Sequence, residues 1–184
     1  MTAYLTPTLT SAIVLPLFQI LREQGQDPND ICDFNSNWLT NGLQLPVEQL
    51  DRLLEQANHQ VKDPALSLKL GERLDWRKFR LLAYLLSECR TGRDALSQLR
   101  RYYPLISDSQ PPDVFIGNRS VKVVFYVSDG APHTRQMRSE VIAAGIHNIG
   151  SKLGSSYYRI TGIGFSQPPG TANKGHLEQY FGVP

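Results

Sequence analysis

The residues best suited to chemistry in this sequence are few and scattered. His133 and Arg135 open a long amphipathic stretch. The bare amides of a helix start favour an anion there, and a guanidinium adds a forked contact to a carboxylate. The competing reading is a pair of polar residues exposed to water. A second group is aromatic: Trp76, Tyr84, Tyr102, Tyr103, Phe125 and Tyr126. Such side chains wall a small-molecule pocket with a few polar handles, or simply fill a core. Tyr84, Tyr102, Phe125, His133 and Arg135 are the candidate ligand-binding residues from these two groups. Arg100-Arg101 beside Tyr102-Tyr103 has the look of a basic-aromatic nucleic-acid surface, but the helical period turns one tyrosine inward.

Catalytic patterns are missing. The chain has no phosphate-binding G-x-x-x-x-G-K-[ST] loop and no G-x-S-x-G elbow. Gly162-Ile163-Gly164 lacks a third glycine and sits inside a strand-like run. His59, His133, His147 and His176 form no H-x-x-x-H pair, and Cys32 and Cys89 form no C-x-x-C pair. The two cysteines read as separate buried or half-buried thiols. No enzyme activity, metal or cofactor is expected.

The elements that must position these residues follow from the whole chain. At 184 residues it is long enough for one domain with a real core. The longest apolar run, 12–21, is broken by Pro16 and Gln19 and is too short to cross a bilayer. No Lys or Arg precedes Arg22, so a secretory leader is not expected. These features predict a soluble, cytoplasmic protein without a membrane partner. The net charge of +2 hides an asymmetry. Acids dominate up to Asp63, whereas Lys69, Arg73, Arg77, Lys78, Arg80, Arg90, Arg93, Arg100 and Arg101 dominate the next stretch. That polarity can steer an acidic partner or a subunit contact, but a solvated helix face is the commoner explanation.

The first half reads as helices. Thr10 or Ser11 caps a helix carrying Ile13, Leu17, Ile20 and Leu21, with Pro16 forcing a kink or a late start and Gly25 a stop. Pro46 and Asp63-Pro64 open two more. Asp75 caps another, with Phe79, Leu82 and Leu86 as its stripe, and Thr91 with Asp94 begins the next. The period then changes. Val114–Ile116 and Val121–Val127 are strands joined by the hairpin signal Gly117-Asn118-Arg119-Ser120. Thr134–Leu153 is a long helix, Tyr158–Phe165 a third strand weakened by Gly162 and Gly164, and Leu177–Tyr180 a short helix. The predicted class is α+β: an amino-terminal helical region followed by a β-β-α-β unit with a largely antiparallel sheet. The helix pair within 77–103 is not expected to read DNA, because the middle of its second helix offers few side chains for base edges.

An ordered set of short patterns carries a family resemblance. Leu70-Gly71-Glu72-Arg73, Leu81 through Ser87, Ala95-Leu96 through Arg101-Tyr102, and Ser107-Asp108 come first. Arg135-Gln136-Met137 with Glu140, Gly164-Phe165 and Tyr180-Phe181-Gly182-Val183-Pro184 complete it. Together they resemble the amino-terminal, arabinose-binding-like domain of AraC-type transcription regulators. Two departures stand out: Ser166-Gln167 replaces a common histidine, and Val183 replaces the usual cysteine of the closing motif.

The resemblance implies one sensory and dimerisation domain over 1–184, cut short within a larger bacterial regulator. It implies a small-molecule effector of unknown class, a homodimer, and DNA contact only through a carboxy-terminal helix-turn-helix half. The effector would bind between the helical half and the sheet. The long helix from Thr134 is one candidate for the subunit contact. The rivals are a stand-alone small-molecule enzyme or carrier, and a dimerisation module with no ligand.

Overall fold

A computed structural model describes residues 7–31, 44–154, 158–166 and 174–183. Strand β1 (Thr8–Thr10) leads through a 3-10 turn into α1 (Leu15–Glu23) and the short α2 (Pro28–Ile31). After β2 (Gln44–Pro46) come α3 (Val47–Val61), α4 (Leu66–Glu72), α5 (Leu81–Ser87) and α6 (Gly92–Tyr102). The hairpin β3 (Asp113–Ile116) and β4 (Val121–Val124) precedes the long α7 (Pro132–Leu153) and α8 (Lys174–Phe181). The protein is α+β, with eight α-helices among the described residues.

The local signals act much as their chemistry dictates. The Thr10 hydroxyl accepts from the Ala12 amide, and Pro16 sits in the first turn of α1, so the helix starts late and does not kink. Thr91 accepts from the Asp94 amide and caps α6. Asp75 caps only a 3-10 turn over Trp76–Phe79. Arg80, at φ +53°, then breaks the single helix expected there, and α5 begins anew.

The expected β-β-α-β unit needs correction. Residues 158–166 form no strand, and the two antiparallel sheets are separate two-stranded pieces, β1–β2 and β3–β4. The glycines at 162 and 164 carry no side chain to stabilise a ladder. Ile160, Ile163 and Phe165 turn instead onto a small core of Leu68, Ala144, Leu177 and Phe181. The β1–β2 pair was not foreseen, because three residues with one inward Leu each carry almost no period.

The main core gathers Val14, Leu17 and Leu21 of the first helical segment with Leu50, Leu54, Leu66, Leu70, Met137 and Val141. Helix α7 runs through its middle and packs most extensively on α4. Gly71 and Gly145 make that crossing close. A Cβ at Gly71 would lie 2.5 Å from the Val141 carbonyl oxygen, and one at Gly145 would lie 2.7 Å from the Leu74 Cδ1. Gln136 and Glu140 are buried on the same helix, and Gln136 Nε2 donates to Glu140 Oε1 at 3.1 Å. Met137, Val141 and Ala144 of α7 are buried inside the domain, whereas Ile142, Ile146 and Ile149 are half-buried and Leu153 is exposed. Among the described residues no helix is long and apolar enough to cross a membrane.

Candidate functional site

The two ends of α7 carry the two polar groupings that can do chemistry. At its amino end, the Arg138 guanidinium lies 2.9 Å from an Asp51 carboxylate oxygen of α3, and both side chains are about nine-tenths buried. Their closest atoms are near in distance but not aligned as a hydrogen bond. Burial pushes the Asp51 carboxyl above its ordinary value, and the Arg138 charge and the Thr134 hydroxyl only partly offset it. Burial likewise lowers Arg138. Arg138 also donates to the Asp129 carbonyl. Gly130, at φ +90°, lets the backbone pass where a Cβ would strike the Asp51 carboxylate. The network fixes the β4–α7 connection against α3.

The opposite end of α7 opens into a cleft of about 580 Å³, bounded by α4, α7 and α8. Lys69 and Glu72 come from α4, His147, Asn148 and Ser151 from α7, and His176, Gln179 and Tyr180 from α8. The spacing explains the convergence: 147 and 151, and 176 and 180, are each one helical turn apart and share a face.

His147 and Tyr180 line one wall, backed by further aromatic rings. His147 lies 5.8 Å from the rings of Tyr158, Tyr180 and Phe181, and the last two meet edge to face at 4.9 Å. The His147 Nδ1 is buried and meets no hydrogen-bond partner among the described residues. Asn148 uses its amide NH₂ on the Leu74 carbonyl at 3.0 Å. Burial, with the negative charge of Glu72, pushes the Tyr180 hydroxyl up to about 12. It therefore stays protonated and can donate at neutral pH. At the rim, burial works to raise Asp63, but hydrogen bonds from Lys69 and the Ala65 amide and the Lys69 charge hold it below its ordinary value. Such a mixture suits a small polar molecule with one flat or apolar side.

The residues singled out from sequence fall elsewhere. Tyr84 is 62% exposed on α5. Tyr102 is half-buried beneath the Arg101 guanidinium, 5.4 Å from its ring centre. Phe125 packs on Tyr103 with ring centres 6.5 Å apart. His133 meets Glu55 at 3.0 Å on the surface. Arg135 donates to the Ser128 carbonyl at 3.2 Å, while its buried Nε has no partner among the described residues. The structure draws Phe125, His133 and Arg135 to the β4–α7 end of the molecule but leaves Tyr84 apart.

The cleft residues were hidden in the sequence as isolated histidines. Glu72 and Tyr180 were the available signal, since both stand within the motifs that carried the resemblance. Cys32 and Gln167 lie outside the described residues, and Cys89 is a half-buried thiol whose proton burial holds on more tightly. Among the described residues no group of three or more metal-ligating side chains converges.

The family model described as the arabinose-binding domain of AraC transcription regulator, N-terminal, matches residues 38–184. That span includes every residue of the cleft and both ends of α7. No curated protein sequence matches the chain.

Proposed function

Since the chain belongs to the family of N-terminal arabinose-binding domains of AraC transcription regulators, we propose that its cleft between α4, α7 and α8 is the effector site of a bacterial, cytoplasmic regulator. Membership makes it a sensory domain of a transcription regulator, one that acts with a DNA-binding domain in the full protein. The carrying observation for the site is the cleft itself. Its volume falls within the ~300–1,000 Å³ usual for small-ligand sites, and its polar groups converge from three helices.

An effector seated there bridges α8 to α4 and α7. Because α7 is anchored at its other end by Asp51 and Arg138, a shift at the cleft changes how α8 sits on a fixed frame. That is a two-arrangement element which a ligand can bias, and through which it can alter an attached DNA-binding half in a homodimer. Phe125, His133 and Arg135 form the alternative contact set at the other end of α7.

A thermal-shift screen of amino acids, sugars and fatty acids tests both. A ligand at a hundred times its Kd stabilises by about 2.7 kcal/mol. With the ligand found, Tyr180→Phe should weaken its binding about tenfold by removing one hydrogen bond, while Arg135→Ala leaves it unchanged. The reverse pattern moves the site to the amino end of α7. No shift with any class sinks the sensor reading.

A further inference from the structure

The β3–β4 hairpin exposes more apolar surface than its fold can use. Of the eight large hydrophobic side chains that stand exposed among the described residues, Phe115, Ile116, Val121 and Tyr126 fall within this short segment. A lone two-stranded hairpin is marginal in water. Strand β3 lies against α6, so β4 is the open edge.

Hydrogen-bond alternation shows what that edge offers. The Gly117 amide donates to the Ser120 carbonyl at 2.9 Å, so this pair is hydrogen-bonded across the turn. Pairs in an antiparallel ladder alternate. With Ile116 opposite Val121 and Phe115 opposite Lys122, the backbone groups of Lys122 and Val124 face β3. Those of Val121 and Val123 face outward, and no backbone group among the described residues outside the hairpin meets them.

We infer that β4 pairs antiparallel with β4 of a second copy, Val123 opposite Val123, to make a four-stranded sheet across a two-fold axis. Symmetry and charge choose this register. Centring on Lys122 would set like charges directly opposite, which is unfavourable. Centring on Val123 gives two reciprocal hydrogen bonds between the outward groups. One face then reads Ile116, Val121 and the partner's Phe125, beside a row of Val114 and Val123 from both copies. On the other face Lys122 sits opposite the partner's Val124, one strand short of the partner's Asp113. The strand spacing puts the two Cα atoms about 10 Å apart, within reach of a lysine. Asp113 already attracts Arg100 at 3.5 Å and the Tyr126 hydroxyl at 2.7 Å, and the Lys122 charge joins that group.

This surface deepens the homodimer reading and rests on it for its meaning. Sedimentation velocity over a dilution series of the whole chain should show a reversible dimer. Val123→Pro removes an outward amide and spares the β3 ladder. It should raise the dimer Kd at least about tenfold, since symmetry removes two hydrogen bonds. Lys122→Glu should weaken the dimer in the same direction, and its circular dichroism should match the parent. In a chain with Cys32 and Cys89 changed to serine, Val123→Cys should form an intermolecular disulfide on oxidation. The expected Cα separation of about 5.5 Å permits that bond. A dimer indifferent to Val123→Pro and Lys122→Glu, with no cross-link, overturns the hairpin surface alone. A parent chain monomeric at every concentration overturns the homodimer reading with it. Should Val123→Pro fail to fold, Lys122→Glu and the cross-link decide.

Discussion

The two ends of α7 are built in opposite ways. At the amino end, Asp51, Thr134, Arg138 and the Asp129 carbonyl interlock in a nearly dry site. At the carboxyl end, His147 leans on aromatic rings of α8, its Nδ1 is unused among the described residues, and a cleft opens where α4, α7 and α8 meet. Buried charge demands one geometry, because removing it from its partner is costly. Aromatic edges tolerate several arrangements at similar energy. One end therefore holds a frame and the other can answer to a ligand. The division suits a sensor, in which a differential contact at one place biases a two-arrangement element.

The contrast breaks most readily at Arg138. Arg138→Met leaves Asp51 buried without its counter-charge, and stability should fall by about 3–5 kcal/mol at neutral pH in urea unfolding. The sign of the pH dependence is distinctive. Asp51 already titrates above its ordinary value when folded, so its ionisation withdraws stability as pH rises from the unfolded value through the raised folded one. Losing Arg138 raises Asp51 further, so the deficit should shrink on acidification. A loss below 1 kcal/mol, or one that grows in acid, would mean that the amino end is not a charge-built anchor.

Between the two ends, the glycine crossing sharpens the comparison. Gly71→Ala drives a Cβ against the Val141 carbonyl and the Ala144 Cβ at 2.6 Å, neither of which can swing away. Overpacking of this kind costs about 1–3 kcal/mol. Gly145→Ala meets only the end of the Leu74 side chain, and the gain in helix propensity of ~1 kcal/mol offsets that contact. Melting temperatures should separate the two variants clearly. Equal effects would show that α4 and α7 slide freely, and the frame would then not be rigid at its centre.

These features differ in how far the sequence exposed them. Helices with strong caps, such as α6 after Thr91, were legible because a cap is a local hydrogen bond. So was the β3–β4 hairpin, from its β-branched run and turn residues. The third strand failed because Ile160, Ile163 and Phe165 pack onto a core rather than a ladder, and nothing within 158–166 announces that choice. The family patterns proved to be mostly scaffold. Gly71 admits α7, Gln136 and Glu140 pair inside it, and Arg73 reaches Glu23 at 2.7 Å. Only Glu72 and Tyr180 of those patterns turn to the cleft. The cleft stayed hidden because its histidines, 147 and 176, are brought together by the packing of α8 on α7 and not by any spacing along the chain.

The rim of the cleft offers the gentlest test of the same contrast. Asp63 is held below its ordinary carboxylate value when folded, its burial outweighed by Lys69 and the Ala65 amide. A lowered acid contributes stability above its unfolded value and loses it as pH falls through the folded one. Lys69 is half exposed, so solvent screens the pair and its contribution should stay below about 1 kcal/mol. Asp63→Asn should therefore lower stability slightly at neutral pH and flatten the acid side of the stability profile. Added salt should erase most of the difference, because the pair lies at the surface. That salt sensitivity is the telling measurement, since the Asp51–Arg138 pair, dry and enclosed, should respond to salt far less. If both pairs respond alike, the amino end of α7 is as wet as the cleft, and the frame that the sensor reading needs is lost.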